Sequence, residues 1–317
     1  MDRREKLLGD LQLDRLVGLE IGALASPLVK RSDGPVIYVD HADTQALREK
    51  YREHTWIDPD AIVQVDAVWG EQSIREALGP ERSVDYVVAS HVVEHVPDLV
   101  AWLQDLESVL RPGGSVRLAI PDKRFCFDYL RSETRVTDIL HAHYHRARRP
   151  QPREIIDSEI YHRDVDPHEA WAGRVELATL LQPDQLTRVF GLANWSARGE
   201  YVDVHCWAFT LQSFAAVMEQ LASLGLTTLA CERAFDTEVN THEFFVIMRP
   251  AARLQAVESW AAPKGADTSL ERQQQTALIE HLRRQLQDAR DELAALRNST
   301  SWRLTQPLRQ AVERLRR

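Results

Sequence analysis

Cysteine is scarce in this chain: Cys126, Cys206 and Cys231 are the only three in 317 residues, odd in number and widely spaced. That excludes a disulfide-stapled scaffold and suits a reducing compartment. With 13 Gly and 14 Pro, the composition is neither collagenous nor low-complexity. No run approaches the roughly 18 apolar residues of a membrane span. The opening MDRREKLLGDLQL carries no apolar core of a signal peptide. Positive charge is not in excess either. The 39 Lys and Arg stand against 48 Asp and Glu, a net charge of −9, so nothing electrostatic points to nucleic acid as a partner. The expectation is a cytoplasmic protein. Apolar material is plentiful at 44%, enough for a sizeable core.

Up to about residue 250, apolar runs and turn signals alternate as in βα units. Strands are expected at 14–22 (DRLVGLEIG), 36–40 (VIYVD), 62–68, 84–90 (VDYVVAS), 115–120, 226–233 and 243–248. Helices are expected from Ser26-Pro27, a cap followed by a first-turn proline, at 45–51, at 97–110 and at 211–224. The pattern predicts an α/β fold: a Rossmann-like, doubly wound, mostly parallel seven-stranded sheet. Residues 121–199, rich in His and Arg, form an insertion after strand 5. Residues 251–267 read as a linker. Over 268–298, Ile279, Leu286 and Leu293 alternate with Leu282, Ala289 and Leu296 in heptads, the pattern of a coiled coil. The tail, 299–317, is amphipathic and basic, with five Arg and one Glu.

In such a sheet the ligand lies beyond the carboxyl ends of the strands. Glu20 and Gly22 end the first strand, and Asp40 ends the second, where a carboxylate can accept both hydroxyls of a ribose. The loop GALASP after Gly22 lacks the further glycines that bring backbone against a pyrophosphate. This disfavours an NAD-dependent oxidoreductase and suits a nucleoside without phosphates. Asp66 ends the third strand, near an adenine if the second strand reads ribose. His91-Val-Val-Glu94-His95 spells H-x-x-E-H, a zinc-protease pattern. Its strand-to-loop context and the Pro97 that follows argue against both histidines sharing one helical face, so no metal ligands are assigned. A loop touching substrate or cofactor suits it better. His141, His143 and His145, with Arg146, Arg148 and Arg149, are read as a basic substrate-facing loop rather than a metal site.

Taken in order, LEIGALASP, VIYVD, VDYVVASHVVEHVPD and LESVLRPGGSVRLAIPDKR resemble the successive motifs of class I S-adenosylmethionine (SAM)-dependent methyltransferases. More narrowly, LEIG-x₄-PL, E-H-V-x-D and I-P-D-K-R-x-x-F-D-Y resemble methyltransferases encoded with bacterial surface-polysaccharide genes. The resemblance covers about residues 15–250, and makes 1–250 the catalytic domain. The departure is Ala23-Leu24-Ala25 in place of a glycine-rich run. The resemblance implies SAM as cofactor, Glu20 and Gly22 at its methionine and ribose end, Asp40 on the ribose, Asp66 near adenine, and Ser90 and His91 beside the sulfonium.

It implies a sugar or glycan acceptor, whose hydroxyl needs alignment and a base: a histidine, a carboxylate, or a divalent metal, the last not favoured. His91, Asp203 and His205 are the expected catalytic and acceptor contacts. SWRLTQPLR in the tail resembles terminal segments of bacterial glycan-assembly enzymes that carry a coiled coil. The tail could rest peripherally on an anionic inner-membrane surface or dock on a glycan enzyme, and the heptads could pair copies of the chain. A methyltransferase for a small metabolite and a non-catalytic scaffold in a glycan-assembly complex stay open as alternatives.

Overall fold

The computed structural model describes residues 1–55, 57–70, 72–175 and 185–264, together with Gln287. All the elements below belong to one compact unit, Met1–Ala266. The expected coiled coil and basic tail lie, apart from Gln287, outside the described residues. Among the described residues no helix is long and apolar enough to cross a membrane.

The seven strands are β1 (Gly18–Ile21), β2 (Val36–Asp40), β3 (Ala67–Val68), β4 (Val84–Ser90), β5 (Leu110–Pro121), β6 (Leu229–Phe235) and β7 (Glu243–Pro250). They form one mixed sheet in the order β3-β2-β1-β4-β5-β7-β6. The pairs from β3 across to β5 are parallel, and β7 runs antiparallel to both its neighbours. The central strands are covered on both faces, which is why β1 and β4 read as nearly continuous apolar runs. Helix α2 (Thr44–Lys50) follows β2, and one face of the sheet packs on α3 (Ile74–Leu78), α4 (Leu99–Val109) and α9 (Leu211–Ser223), through Ile74, Trp102, Leu106, Phe214 and Leu221 among others. Helix α4 starts at Asp98, whose carboxylate accepts the Ala101 amide at 3.0 Å.

The other face shows the first departure from expectation. No helix follows Ser26-Pro27: residues 22–35 are turns. The buried Glu20 carboxylate accepts the amides of Leu28 (2.7 Å) and Val29 (2.9 Å). Those are the first-turn donors a cap at Ser26 would have served. Gly34 and Pro35 then cut the segment short. The face is covered instead by α1 (Arg3–Leu8), which packs Leu7 and Leu8 with Val29, Tyr38, Tyr86 and Phe245.

The third strand is also shorter than expected. The Asp66 carboxylate accepts the Tyr38 amide at 2.8 Å, so a side chain takes the ladder donor and regular pairing starts only at Ala67.

The insertion after β5 is helical: α5 (Val136–Tyr144), α6 (Pro152–Tyr161), α7 (Pro167–Trp171) and α8 (Gln185–Ala197). His141, His143 and His145 therefore do not form a loop. His141 and His145 share a helix face with ring centroids 4.5 Å apart, whereas His143 turns away to Asp98, at 3.0 Å.

Nor is the stretch expected as a linker one, as far as residue 264. It folds into α10 (Arg253–Ser259) and α11 (Ala261–Lys264). Between them Trp260 is fully buried in the main core and donates its indole N–H to the Leu229 carbonyl at 3.0 Å. The apolar spacing of Leu254, Val257 and Trp260 was too short to read as a helix without the sheet it packs on.

Replacing Trp260 by Ala is expected to cost about 3–5 kcal/mol of stability, measured by urea unfolding of the full chain. A change within about 0.5 kcal/mol, as at an exposed linker, would contradict this packing.

Candidate active site

A cavity of about 790 Å³ lies beyond the carboxyl ends of β1, β2 and β4, where a doubly wound sheet places its ligand. Gly22, Asp40 and His91, each just at or past a strand end, line it. Gly22 has φ +70°, and a Cβ there would meet Val92 Cγ2 at 3.0 Å. The bare backbone therefore forms the wall. The Asp40 carboxylate accepts the His41 amide at 2.7 Å and lies 2.6 Å from His41 Nδ1 through the same oxygen. Its second oxygen is left for a diol. Trp69 and Gln72, past β3, continue the wall and offer an aromatic face and an amide to a heterocycle.

Three expected cofactor contacts lie elsewhere. Glu20 does not line the cavity: along a strand side chains alternate, and its carboxylate points to the loop amides described above. It anchors the wall. Asp66 is held by Arg31 at 2.8 Å and by the Tyr38 amide, away from the cavity lining. Ser90 accepts a hydrogen bond from the Arg3 guanidinium and is likewise absent from that lining.

The remaining cavity wall is polar. Asp203 lies 2.9 Å from His95 Nδ1, accepts the Lys50 ammonium at 3.2 Å, and accepts the Tyr201 hydroxyl at 3.4 Å. Desolvation would raise the Asp203 carboxyl, but His95 and Lys50 outweigh it and hold it well below the usual range. Asp203 is thus an organiser of charge and a poor base. His95 is raised: burial opposes its charge, and Asp203 and Glu94 more than offset that. Arg146, Arg148 and Arg149 also line the cavity, from the end of α5 onward.

His91 sits in the left-handed region at φ +53°, which turns its ring into the cavity. Its Nε2 is 2.9 Å from Glu243 Oε2, and Arg3 pairs with the same carboxylate at 3.1 Å. His205, expected beside the acceptor, is buried and does not line the cavity; its Nδ1 is 2.5 Å from Asp128 Oδ2. Glu94, His95 and His205 each bring a ligand atom within 4.8 Å of the others. Asp122 and Arg124, which follow β5, are buried on each other at 2.6 Å. Lys50, Tyr201 and Glu243 were missed: each is a lone polar residue whose partner lies far along the chain, and no local pattern marks such a residue.

Residues 33–163 match the family model described as a methyltransferase domain. Over that stretch the chain is similar to a methyltransferase domain. No curated protein matches its sequence. Similar solved structures include one described as a zinc-dependent alcohol dehydrogenase from Rhodobacter sphaeroides (11% identity, 80% of this chain and 91% of that one, TM-score 0.44). Others are a SAM-dependent methyltransferase from Aquifex aeolicus (12%, 78% and 90%, TM-score 0.39) and the CcbJ methyltransferase from Streptomyces caelestis (13%, 78% and 89%, TM-score 0.40). At TM-scores below 0.5 these overlaps are partial and say nothing of chemistry.

The residues present fit SAM. A nucleoside needs the diol acceptor of Asp40 and the close backbone of Gly22, and no phosphate cradle is required. Asp40→Ala should weaken SAM binding at least about tenfold by calorimetry, while Asp66→Ala leaves the affinity within about threefold. Equal losses in both would mean that the ribose reading of Asp40 is wrong.

Burial pushes the Glu20 carboxyl up to about 7, against the two amides that lower it. The folded chain then keeps a proton that the unfolded chain releases near 4.5, so stability falls as pH rises between those values. Over that window the wild type should lose up to about 3 kcal/mol relative to Glu20→Gln in urea unfolding. Parallel pH profiles would contradict this role for Glu20.

Proposed function

We propose that this methyltransferase transfers the SAM methyl group to a hydroxyl of a sugar, within glycan biosynthesis. The observation that carries this reading is the polar wall of the cavity. Lys50, His95 and Tyr201 converge on Asp203 within 3.4 Å, and Lys50 also reaches His41 Nε2 at 3.5 Å, next to Asp40; Arg146, Arg148 and Arg149, past the end of α5, line the same cavity. Such a wall offers donors and acceptors to several hydroxyls. The arginines suit a phosphorylated or nucleotide-linked acceptor.

SAM supplies a methyl group on a sulfonium that is already a good leaving group, so the protein's task is alignment, exclusion of water and removal of one proton. His91 is the base. Glu243 on Nε2 favours the tautomer protonated there and leaves the Nδ1 lone pair for the acceptor proton. Asp203, already paired with Lys50 and His95, orients the acceptor. His205 supports this wall from beneath. The basic tail would bring the enzyme to an anionic membrane surface or to a glycan-assembly partner, and the heptads would pair copies of the chain.

Incubation with methyl-labelled SAM and a panel of glycans and nucleotide sugars should yield a labelled methyl ether. Label appearing only on small metabolites would replace the sugar reading. His91→Gln should lower kcat by about 10²–10⁴-fold while SAM affinity changes by less than about threefold. An unchanged kcat would remove His91 as the base.

A further inference from the structure

Glu94 is 1% exposed, yet neither of its carboxylate oxygens accepts a hydrogen bond from the described residues. A buried carboxylate without hydrogen bonds is costly unless a cation is there to meet it. The groups that face it are imidazoles: His205 Nε2 at 3.9 Å and His91 Nδ1 at 3.7 Å from Oε1, with His95 on the next residue.

Both histidines that group with Glu94 have a carboxylate beside Nδ1. Asp128 Oδ2 lies 2.5 Å from His205 Nδ1, and Asp203 Oδ1 lies 2.9 Å from His95 Nδ1. In each case Nε2 is the nitrogen left over. A carboxylate on one ring nitrogen, with the other free, is the outer arrangement of metal-bound histidines. The Glu94 carbonyl accepts the Cys206 amide at 2.7 Å, so the strand-to-helix loop and the 203–207 segment are fixed against each other at this point.

We infer that Glu94, His95 and His205 form a site for one divalent first-row transition ion at the floor of the methyl-transfer cavity. Two imidazole nitrogens and one carboxylate oxygen suit zinc, manganese, iron or cobalt rather than magnesium or calcium. The three ligand atoms lie within 4.8 Å of one another. Around one ion they would close to about 3–3.5 Å, for bond lengths of about 2.0–2.2 Å, a movement within reach of side-chain rotation. The H-x-x-E-H run does contribute, but not as a helical pair: residues Val93–His95 form a 3₁₀ turn, and the second histidine ligand comes from position 205.

His95 lines the cavity, so an ion held by these three residues would stand at its wall and would make an acceptor hydroxyl more acidic. That hydroxyl gives its proton to His91 Nδ1. Its oxygen attacks the SAM methyl carbon, and the C–S bond breaks with its electron pair staying on sulfur. The products are the methyl ether, S-adenosylhomocysteine and protonated His91, with no change in the ion's oxidation state. The ion site stands on its own residues; only this use of it rests on the hydroxyl-acceptor reading.

The test is metal uptake by the tag-free full chain after removal of metals with EDTA, without acceptor. Calorimetric titration with Zn²⁺ and with Mn²⁺, and the visible absorption of added Co²⁺, should report one ion per chain. Glu94→Gln and His205→Gln should each weaken uptake at least tenfold, and Asp128→Asn should weaken it by about 10–100-fold. SAM titration and circular dichroism of each variant report whether it is folded. If Glu94→Gln does not fold, His205→Gln and Asp128→Asn decide. No stoichiometric ion on the folded wild type, or unchanged affinity in the folded variants, overturns the site. A negative acceptor screen beside normal metal uptake overturns the sugar reading alone.

Discussion

The Glu94 carbonyl accepts two amides, from Cys206 at 2.7 Å and Trp207 at 3.2 Å, and the active site depends on this clamp. It joins the loop after β4 to a segment more than 100 residues later. Trp207 reinforces it by donating its indole N–H to the Val96 carbonyl at 2.7 Å. Because the clamp is backbone and buried, it fixes positions to within a hydrogen-bond length. His91, Glu94 and His95 on one side thereby meet Asp203 and His205 on the other. Without it the cavity would have a nucleoside wall but no organised acceptor wall.

Buried carboxylates serve this molecule in distinct ways. Glu20 spends both oxygens on loop amides, shaping a wall without touching the cavity. Asp40 spends one oxygen on its own neighbour, at the cavity wall. Asp203 accepts from Lys50 and Tyr201, pairs with His95, and is too stabilised as an anion to remove a proton. Of these four, Glu94 has no hydrogen-bond donor among the described residues, and it is the carboxylate beside three imidazoles. The chemistry follows from how many partners each one already has.

The sheet was legible because central parallel strands are buried on both faces, so VIYVD and VDYVVAS announce themselves as apolar runs ended by a polar residue. That Gly22, Asp40 and His91 line the cavity was legible for a related reason: a residue at the carboxyl end of such a run is placed by the fold. Glu20 and Asp66 occupy similar positions but were misjudged, since strand alternation and a side chain's capture of a ladder amide decide where a carboxylate points. His205 and Lys50 gain their surroundings from distant segments, and helix α10 exists only against β6 and α9. The basic character of 141–149 was visible, but its helical geometry was not, because His-rich runs carry weak periodicity.

The central claim is that the cavity beyond β1, β2 and β4 holds SAM, and that the loop lacking further glycines rejects a dinucleotide. Calorimetric titration of the full chain with SAM and, separately, with NAD tests this most directly. The account predicts one SAM bound per chain and no detectable heat with NAD. Binding of NAD with no response to SAM would contradict it.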